Sequence, residues 1–323
     1  MKPYLRLCLT LLIIFTYSAC EAQPQRELFN VLSGKDKQSP LLLTAEATSP
    51  YEATYQFNEL VFCDSTNFSC KNNFVKITSV VPFEKNIIIT FDKPLIPGKR
   101  IEIEGRVADA AGNTLTFTAG VWGYNDRIPS LLINEFTTRG SSNNPDRVEL
   151  LAQTDGNLAG VTLYDGVASA WDSECILPDF EVKAGDYIVI QYNKELSGEH
   201  PIEFDGGTVG LGANNGVISL YNAPYGTILD AVVYSNRTSD SDTNYGGFGT
   251  HKVLQRIQEL ELTHLWQPHP ITPETAIDST YSTATRSFCR QKGANTSSKY
   301  DWYIVPTSKF SFGKPNSTEV YNP

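Results

Sequence analysis

The sequence predicts an all-β protein made of two tandem β-sandwiches, the second carrying a short helical insertion. Three observations carry this. Runs of about five to eight β-branched, aromatic and aliphatic residues recur along the chain, each bounded by Gly, Pro, Asn or Asp, as strands and their turns require. In Arg100-Ile101-Glu102-Ile103-Glu104 charged and apolar residues alternate, which puts one face of a strand in a core and the other in water. About 280 of the 323 residues follow residue 39; one sandwich takes roughly 100, so at least two domains are expected.

At the N-terminus, Lys2 and Arg6 precede an apolar run from Leu7 to Phe15, and small residues end at Cys20, so residues 1–20 read as an export signal. The run falls short of the roughly 20 apolar residues that span a bilayer, so cleavage is expected. Tyr17-Ser18-Ala19-Cys20 resembles the lipobox of bacterial lipoproteins, with Tyr17 where an aliphatic residue is usual. The resemblance implies lipidation of Cys20 and anchoring in a lipid bilayer, periplasmic or on the outer surface; the alternative is ordinary signal-peptidase cleavage, for example after Ala22. Residues 21–39 are polar and aperiodic, as a flexible tether is.

Of six cysteines, Cys8 leaves with the signal and Cys20 takes the lipid, so Cys63, Cys70, Cys175 and Cys289 remain as an even set. In an oxidising compartment they are disulfide candidates, Cys63 with Cys70 across a short loop and Cys175 with Cys289 across one domain. Their spacings lack the C-x-x-C pairs of zinc sites. Loss of Lys2 and Arg6 leaves 24 basic against 36 acidic residues, a net charge of −12. That sign, with no basic stripe, excludes nucleic acid as an expected partner.

The first domain, residues 40–126, offers strands at Thr54 to Phe62, Val75 to Val80, Asn86 to Phe91, Lys99 to Val107 and Thr114 to Val121. Asp109, Gly112 and Asn113 form a hairpin turn in which positive φ is cheap, and Pro94 with Gly98 closes the turn before. This arrangement resembles the bacterial immunoglobulin-like modules of surface and S-layer proteins, which implies that these turn residues are structural.

After a short linker, Trp122 to Pro129, the second domain fills residues 127–323. It opens with Leu131-Leu132-Ile133-Asn134-Glu135-Phe136, Arg147-Val148-Glu149-Leu150-Leu151 and Leu158 to Asp165, continues with Tyr187 to Tyr192, Gly216 to Tyr221 and Leu229 to Tyr234, and ends with Arg290, Asp301-Trp302 and Phe312-Gly313-Lys314-Pro315-Asn316. This series resembles the lamin-tail domain, an immunoglobulin-like sandwich also found on bacterial exported proteins. Residues 236–285 are an insertion that the family pattern does not need. Within it, Val253, Leu254, Ile257 and Leu260 recur at helical spacing and predict one short amphipathic helix, expected to cover an open end or edge of the sandwich, with partner binding as the alternative.

Residues that carry chemistry are few. Glu135 and Glu149 are acids inside apolar strands, a placement that paired-carboxylate enzymes also use; the lamin-tail resemblance implies structural hydrogen bonding for them and for Asn134. Asp240, Asp242 and Asn244 have calcium-loop spacing, but Tyr245 stands where that loop needs Gly and His251 where it needs Glu. His251, His264 and His269 share a 19-residue span in a pattern too loose for a zinc site. Gly-x-Ser-x-Gly is absent, and Gly207 to Gly212 lacks the helix a dinucleotide site requires. The expectation is therefore a non-enzymatic exported lipoprotein with no catalytic residues, no cofactor and no metal, acting as a binding or adhesion module for a protein or glycan ligand in the envelope or on a host, with Trp171, Tyr245 and Trp266 as contact aromatics. The alternatives are a structural spacer and an accessory module of an extracellular hydrolase or nuclease system.

Overall fold

A computed structural model describes residues 36–71, 74–193, 195–196, 198–238 and 243–323. The expected signal, Cys20 and most of the tether fall outside these residues, as do Asp240 and Asp242. The fold is all-β, built of open sheets with one α-helix among the described residues. It divides into two compact units, the first running to Pro94 and including Ile101–Val121, the second formed by Leu95–Arg100 with Trp122–Pro323.

In the first unit, β1 (Leu42–Ser49), β2 (Glu52–Phe57), β4 (Ile77–Phe83) and β5 (Asn86–Phe91) form an antiparallel sheet in the order β1-β2-β5-β4, while β3 (Ser69–Cys70), β6 (Arg100–Ala108) and β7 (Thr114–Trp122) form a second, in the order β3-β6-β7. Alternation decides which side chains go inward: Ile101, Ile103 and Val107 of β6 are buried, as are Ala53, Tyr55 and Phe57 of β2. The Phe117 ring packs against Tyr55, Phe57 and Phe68 at centroid distances of 5.8 to 6.2 Å. β2 ends at Phe57 rather than continuing to Phe62, which makes a lone bridge to Ala108. Pro82, which donates no backbone hydrogen bond, sits in β4 at the sheet's edge. Between β6 and β7 the expected turn forms: Asp109 Oδ1 and Oδ2 accept from the backbone and side-chain nitrogens of Asn113, and Gly112 takes φ +89°.

In the second unit, β8 (Leu131–Thr137), β9 (Arg147–Ala152), β14 (Tyr187–Gln191), β15 (Glu203–Asp205), β19 (Phe288–Arg290) and β20 (Trp302–Ile304) make a six-stranded sheet in the order β15-β14-β9-β8-β19-β20. A five-stranded sheet is ordered β12-β11-β16-β17-β18, from β11 (Thr162–Val167), β12 (Ala170–Ile176), β16 (Gly216–Tyr221), β17 (Ile228–Ser235) and β18 (Ile277–Asp278). The short β10 (Gly156–Asn157) and β13 (Glu181–Val182) pair separately. One apolar cluster draws on both large sheets, with Ile133, Phe136 and Ile190 from the six-stranded and Leu163, Ile218 and Val232 from the five-stranded one. The β8–β9 register shifts between Ile133 and Glu135, so Asn134 is the extra residue of a bulge. That is why Ile133 and Phe136, three apart, both reach the core.

Every residue of β8, β11 and β16 is buried, where simple alternation expects one wet face. Both outer faces are covered. The helix α1 (His251–Glu261) lies on β11, β12 and β16, its N-terminus capped by the Thr250 hydroxyl accepting from Val253 N. It buries Val253, Ile257 and Leu260 as the spacing predicts, together with Arg256, whose Nε donates to Ala170 O. On the six-stranded sheet the cover is the closing segment around Ser311 to Asn316. The insertion's helix thus covers a sheet face beside the edge strand β12.

Candidate functional site

A cavity of about 410 Å³ opens in the second unit where the insertion meets the closing strands. The insertion supplies Arg237, Ile277, Asp278 and Tyr281; β19, β20 and the turn between them supply Phe288, Gln291, Lys299, Tyr300 and Trp302; Tyr321 comes from the C-terminal segment. Each wall is fixed by its own hydrogen bonds. Arg237 braces the insertion, its Nη2 donating to Pro273 O and Ala276 O at 2.6 and 2.9 Å and its Nη1 meeting Asp278 Oδ2 at 3.2 Å. Ser298 caps a single 3₁₀ turn, Lys299–Asp301, in a reciprocal box with Asp301. That turn holds Tyr300 outward, 72% exposed, while Gln291 Nε2 donates to its carbonyl.

The third wall is pinned by Tyr321 N donating to Ile304 O, with the Arg286 guanidinium 4.0 Å and the Tyr281 ring 6.0 Å from the Tyr321 ring. Lys299 Nζ donates to Glu274 O and lies 5.3 Å from the Tyr300 ring. At the base, the Trp302 ring is held between Arg290 at 4.7 Å and Phe136 at 5.2 Å, and its buried Nε1 has no hydrogen-bond partner among the described residues. Burial, with Cys289 and Glu135 nearby, pushes the Tyr303 phenol up to about 12, so it is neutral. The groove therefore offers exposed tyrosine faces, an ammonium and a half-exposed carboxylate.

The acids inside the strands have a different environment. Glu135 accepts from Ser287 Oγ, Ser311 N and Ser311 Oγ, and Glu149 accepts from Asn134 Nδ2 and Gly313 N. Both are fully buried, and burial pushes both carboxyls up, Glu149 well above its usual range with the Glu135 charge adding to the effect. Asn316 Nδ2 donates to Arg290 O, so the closing segment is stitched across β8, β9 and β19. These groups hold the segment in place, and neither glutamate lines the groove.

The contact aromatics expected from sequence part company. Trp171, 40% exposed on β12, lies 6.0 Å from Tyr164, which also neighbours exposed Tyr225. Tyr245 is exposed against the His251 ring at 6.0 Å. Trp266 is not a surface residue: it is fully buried in the core cluster with Nε1 donating to Thr275 O, because the insertion folds back over it. None of the three lines the groove.

The histidines separate too, exposed His264 and His269 meeting edge to face at 5.0 Å and His251 starting the helix beside Tyr245. Among the described residues, Asp36, Glu59 and Asp109 form a three-carboxylate group with oxygens close enough for a metal ion, and no histidine belongs to such a group. The expected disulfides are also absent: Cys63, Cys70, Cys175 and Cys289 are all thiols. Cys175 lies on β12, its Sγ donating to Asp205 O, whereas Cys289 lies on β19 of the other sheet facing Ser287 and Ser311, and burial pushes both thiols up.

Fold and groove together define an all-β protein whose second unit carries an aromatic recess at the join between an insertion and its closing strands. A family model, TP_1001_2nd, described as "protein second domain", matches residues 129–203 and 204–304, more than half of the chain, and the chain belongs to this family. No curated protein sequence matches significantly. Among solved structures, the N-terminal part of the bacterial S-layer protein SbsC is similar over 61% of this chain and 44% of its own, at 14% identity and a TM-score of 0.26. Domains 1–6 of surface layer protein SbsC are similar over 58% and 39%, at 12% identity and a TM-score of 0.26. The chain spans less than half the length of these proteins.

Proposed function

We propose that this protein is a non-enzymatic exported lipoprotein, anchored through acylated Cys20, that acts as a binding or adhesion module in the cell envelope, its two units an immunoglobulin-like domain followed by a lamin-tail-like domain. One observation carries the binding reading: the aromatic groove is built in part by the 236–285 insertion, the segment the lamin-tail pattern lacks. A fold shared by many functions is individualised at such grafted sites. Concave, largely apolar recesses with a few polar groups are where ligands bind, and rigid sheets hold variable loops in place for recognition.

The address is tested by metabolic labelling with a fatty acid in cells producing the wild type or Cys20→Ala, together with protease accessibility on intact cells. Label on the wild type alone, with surface cleavage, is the expected result; equal labelling of both proteins rejects the anchor. The binding reading is tested by adhesion of intact cells to host and envelope extracts, which should fall when Arg237, Asp278 and Tyr281 are together replaced by alanine.

A further inference from the structure

We infer that the groove between the insertion and the closing strands is a carbohydrate site for a neutral pyranoside, an assignment that rests on the binding reading above. Its volume of about 410 Å³ falls within the ~300–1,000 Å³ of small-ligand sites and is lined by three elements with separate hydrogen-bond anchors.

The lining selects the ligand class. Tyr281 and Tyr300 are 45% and 72% exposed, and flat aromatic faces suit the C–H face of a sugar ring. Sugar hydroxyls donate and accept at once, and the walls present both partners: the half-exposed Asp278 carboxylate accepts, and the Lys299 ammonium, which gives one N–H to Glu274 O, keeps two more to donate. An anionic ligand is opposed by Asp278 and would find Arg237 already committed to that carboxylate and to two backbone carbonyls. A polyproline segment offers carbonyl acceptors and no proline N–H, so the Asp278 carboxylate would lose water without gaining a donor. A neutral sugar can donate to the Asp278 carboxylate and accept from the Lys299 ammonium.

The test uses the full-length protein in detergent micelles on a glycan array that spans neutral hexoses, pentoses, N-acetylhexosamines and sialylated chains, with a proline decapeptide alongside. Hits are followed by calorimetry and saturation-transfer NMR. The expected result is binding of at least one neutral glycan, weakened about tenfold or more by Tyr300→Ala and by Tyr281→Ala, with Tyr245→Ala, away from the groove, unchanged and near-ultraviolet circular dichroism confirming that all three variants fold. A blank array, binding confined to sialylated chains or to the proline peptide, or neutral-glycan binding indifferent to both tyrosines overturns the assignment. Cell adhesion that survives such a result and is abolished by the triple alanine variant keeps the binding reading while rejecting the sugar; loss of both rejects the two together.

Discussion

Arg290 on β19 and Asp230 on β17 join the two large sheets of the second unit, guanidinium Nη2 to carboxylate Oδ2 at 2.6 Å with each side chain only 3% exposed. The pair is embedded in backbone as well. Arg290 Nε donates to Ile133 O, and Asp230 Oδ2 also accepts from Ile133 N. Arg290 Nη1 stands 3.5 Å from Asp301 Oδ2, an ion pair whose geometry falls outside a hydrogen bond, so Nη1 has a charged neighbour without being satisfied by it. Burial pushes the Asp230 carboxyl up, and the Arg290 charge only partly offsets this.

Removing one member of such a pair leaves the other buried and uncompensated. Arg290→Met is expected to destabilise the protein by roughly 3–5 kcal/mol, and Asp230→Leu with Arg290→Met to cost less than the sum of the single changes. Urea denaturation of all three variants checks this. Strict additivity would show that the pair does not act as a unit.

Asp165 predicts an inverted pH dependence. Burial raises its carboxyl to about 6, with the charge of Arg256 opposing that rise only in part. A carboxyl whose folded pKa exceeds its unfolded value binds its proton more tightly in the native state, so its contribution is fully present below about pH 4 and is lost as pH rises through about 6. Asp165→Asn, which never ionises, is expected to gain up to roughly 3 kcal/mol over the wild type at pH 7.5 and almost nothing at pH 4. Urea midpoints at the two pH values decide it. Asp146, Glu135, Glu149 and Asp230 are raised in the same sense by burial, while burial holds the His200 imidazole below its usual range and acts against them on acidification.

Local patterns carried the fold class into view and left the site hidden. The alternation in β6, the apolar runs of β16 and β17 and the spacing of Val253, Ile257 and Leu260 are properties of neighbouring residues, and each formed the element it predicts. Two-sided burial of β8 was not legible, because Glu135 looks like a wet-face residue until Ser311, 176 positions away, closes over it. Trp266 reads as a contact aromatic for the same reason. The groove draws on residues from Arg237 to Tyr321, brought together by the parallel β17–β18 bridge and the β19–β20 hairpin. Its one sequence signal is a concentration of tyrosines, Tyr281, Tyr300, Tyr303 and Tyr321, around the family-like ending.

Gly105 tests packing in the first unit. A Cβ at this position would lie 2.6 Å from the Phe68 ring and 2.7 Å from Phe117, whose ring is already packed against Tyr55 and Phe57. Rings wedged by three neighbours yield poorly, so Gly105→Ala is expected to cost about 1–3 kcal/mol. Gly112→Ala meets nothing within 4 Å and pays only for its positive φ, so its loss should be the smaller, about 1 kcal/mol. Thermal unfolding of the two variants ranks them. The reverse order would place the aromatic cluster elsewhere.

Gly313 controls whether the closing segment stays seated on the six-stranded sheet. Its φ is +79°, its N–H donates to Glu149 Oε2, and an added Cβ would stand 2.8 Å from His200 Nδ1. Alanine here carries both a strained backbone and a displaced imidazole, so Gly313→Ala is expected to cost about 1–3 kcal/mol. Displacement of the segment would also leave the buried Glu149 carboxylate one donor short. Because the Lys309–Phe310 bond stands at the entry to this segment, trypsin under native conditions reports the local effect: cleavage after Lys309 should accelerate in Gly313→Ala by more than the change in global stability accounts for. Asn316→Ala removes the donor to Arg290 O and keeps the glycine, so it should accelerate the same cut by a smaller factor. Equal cleavage rates in wild type and Gly313→Ala would mean that Ser311 and its bonds to Glu135 hold the segment alone.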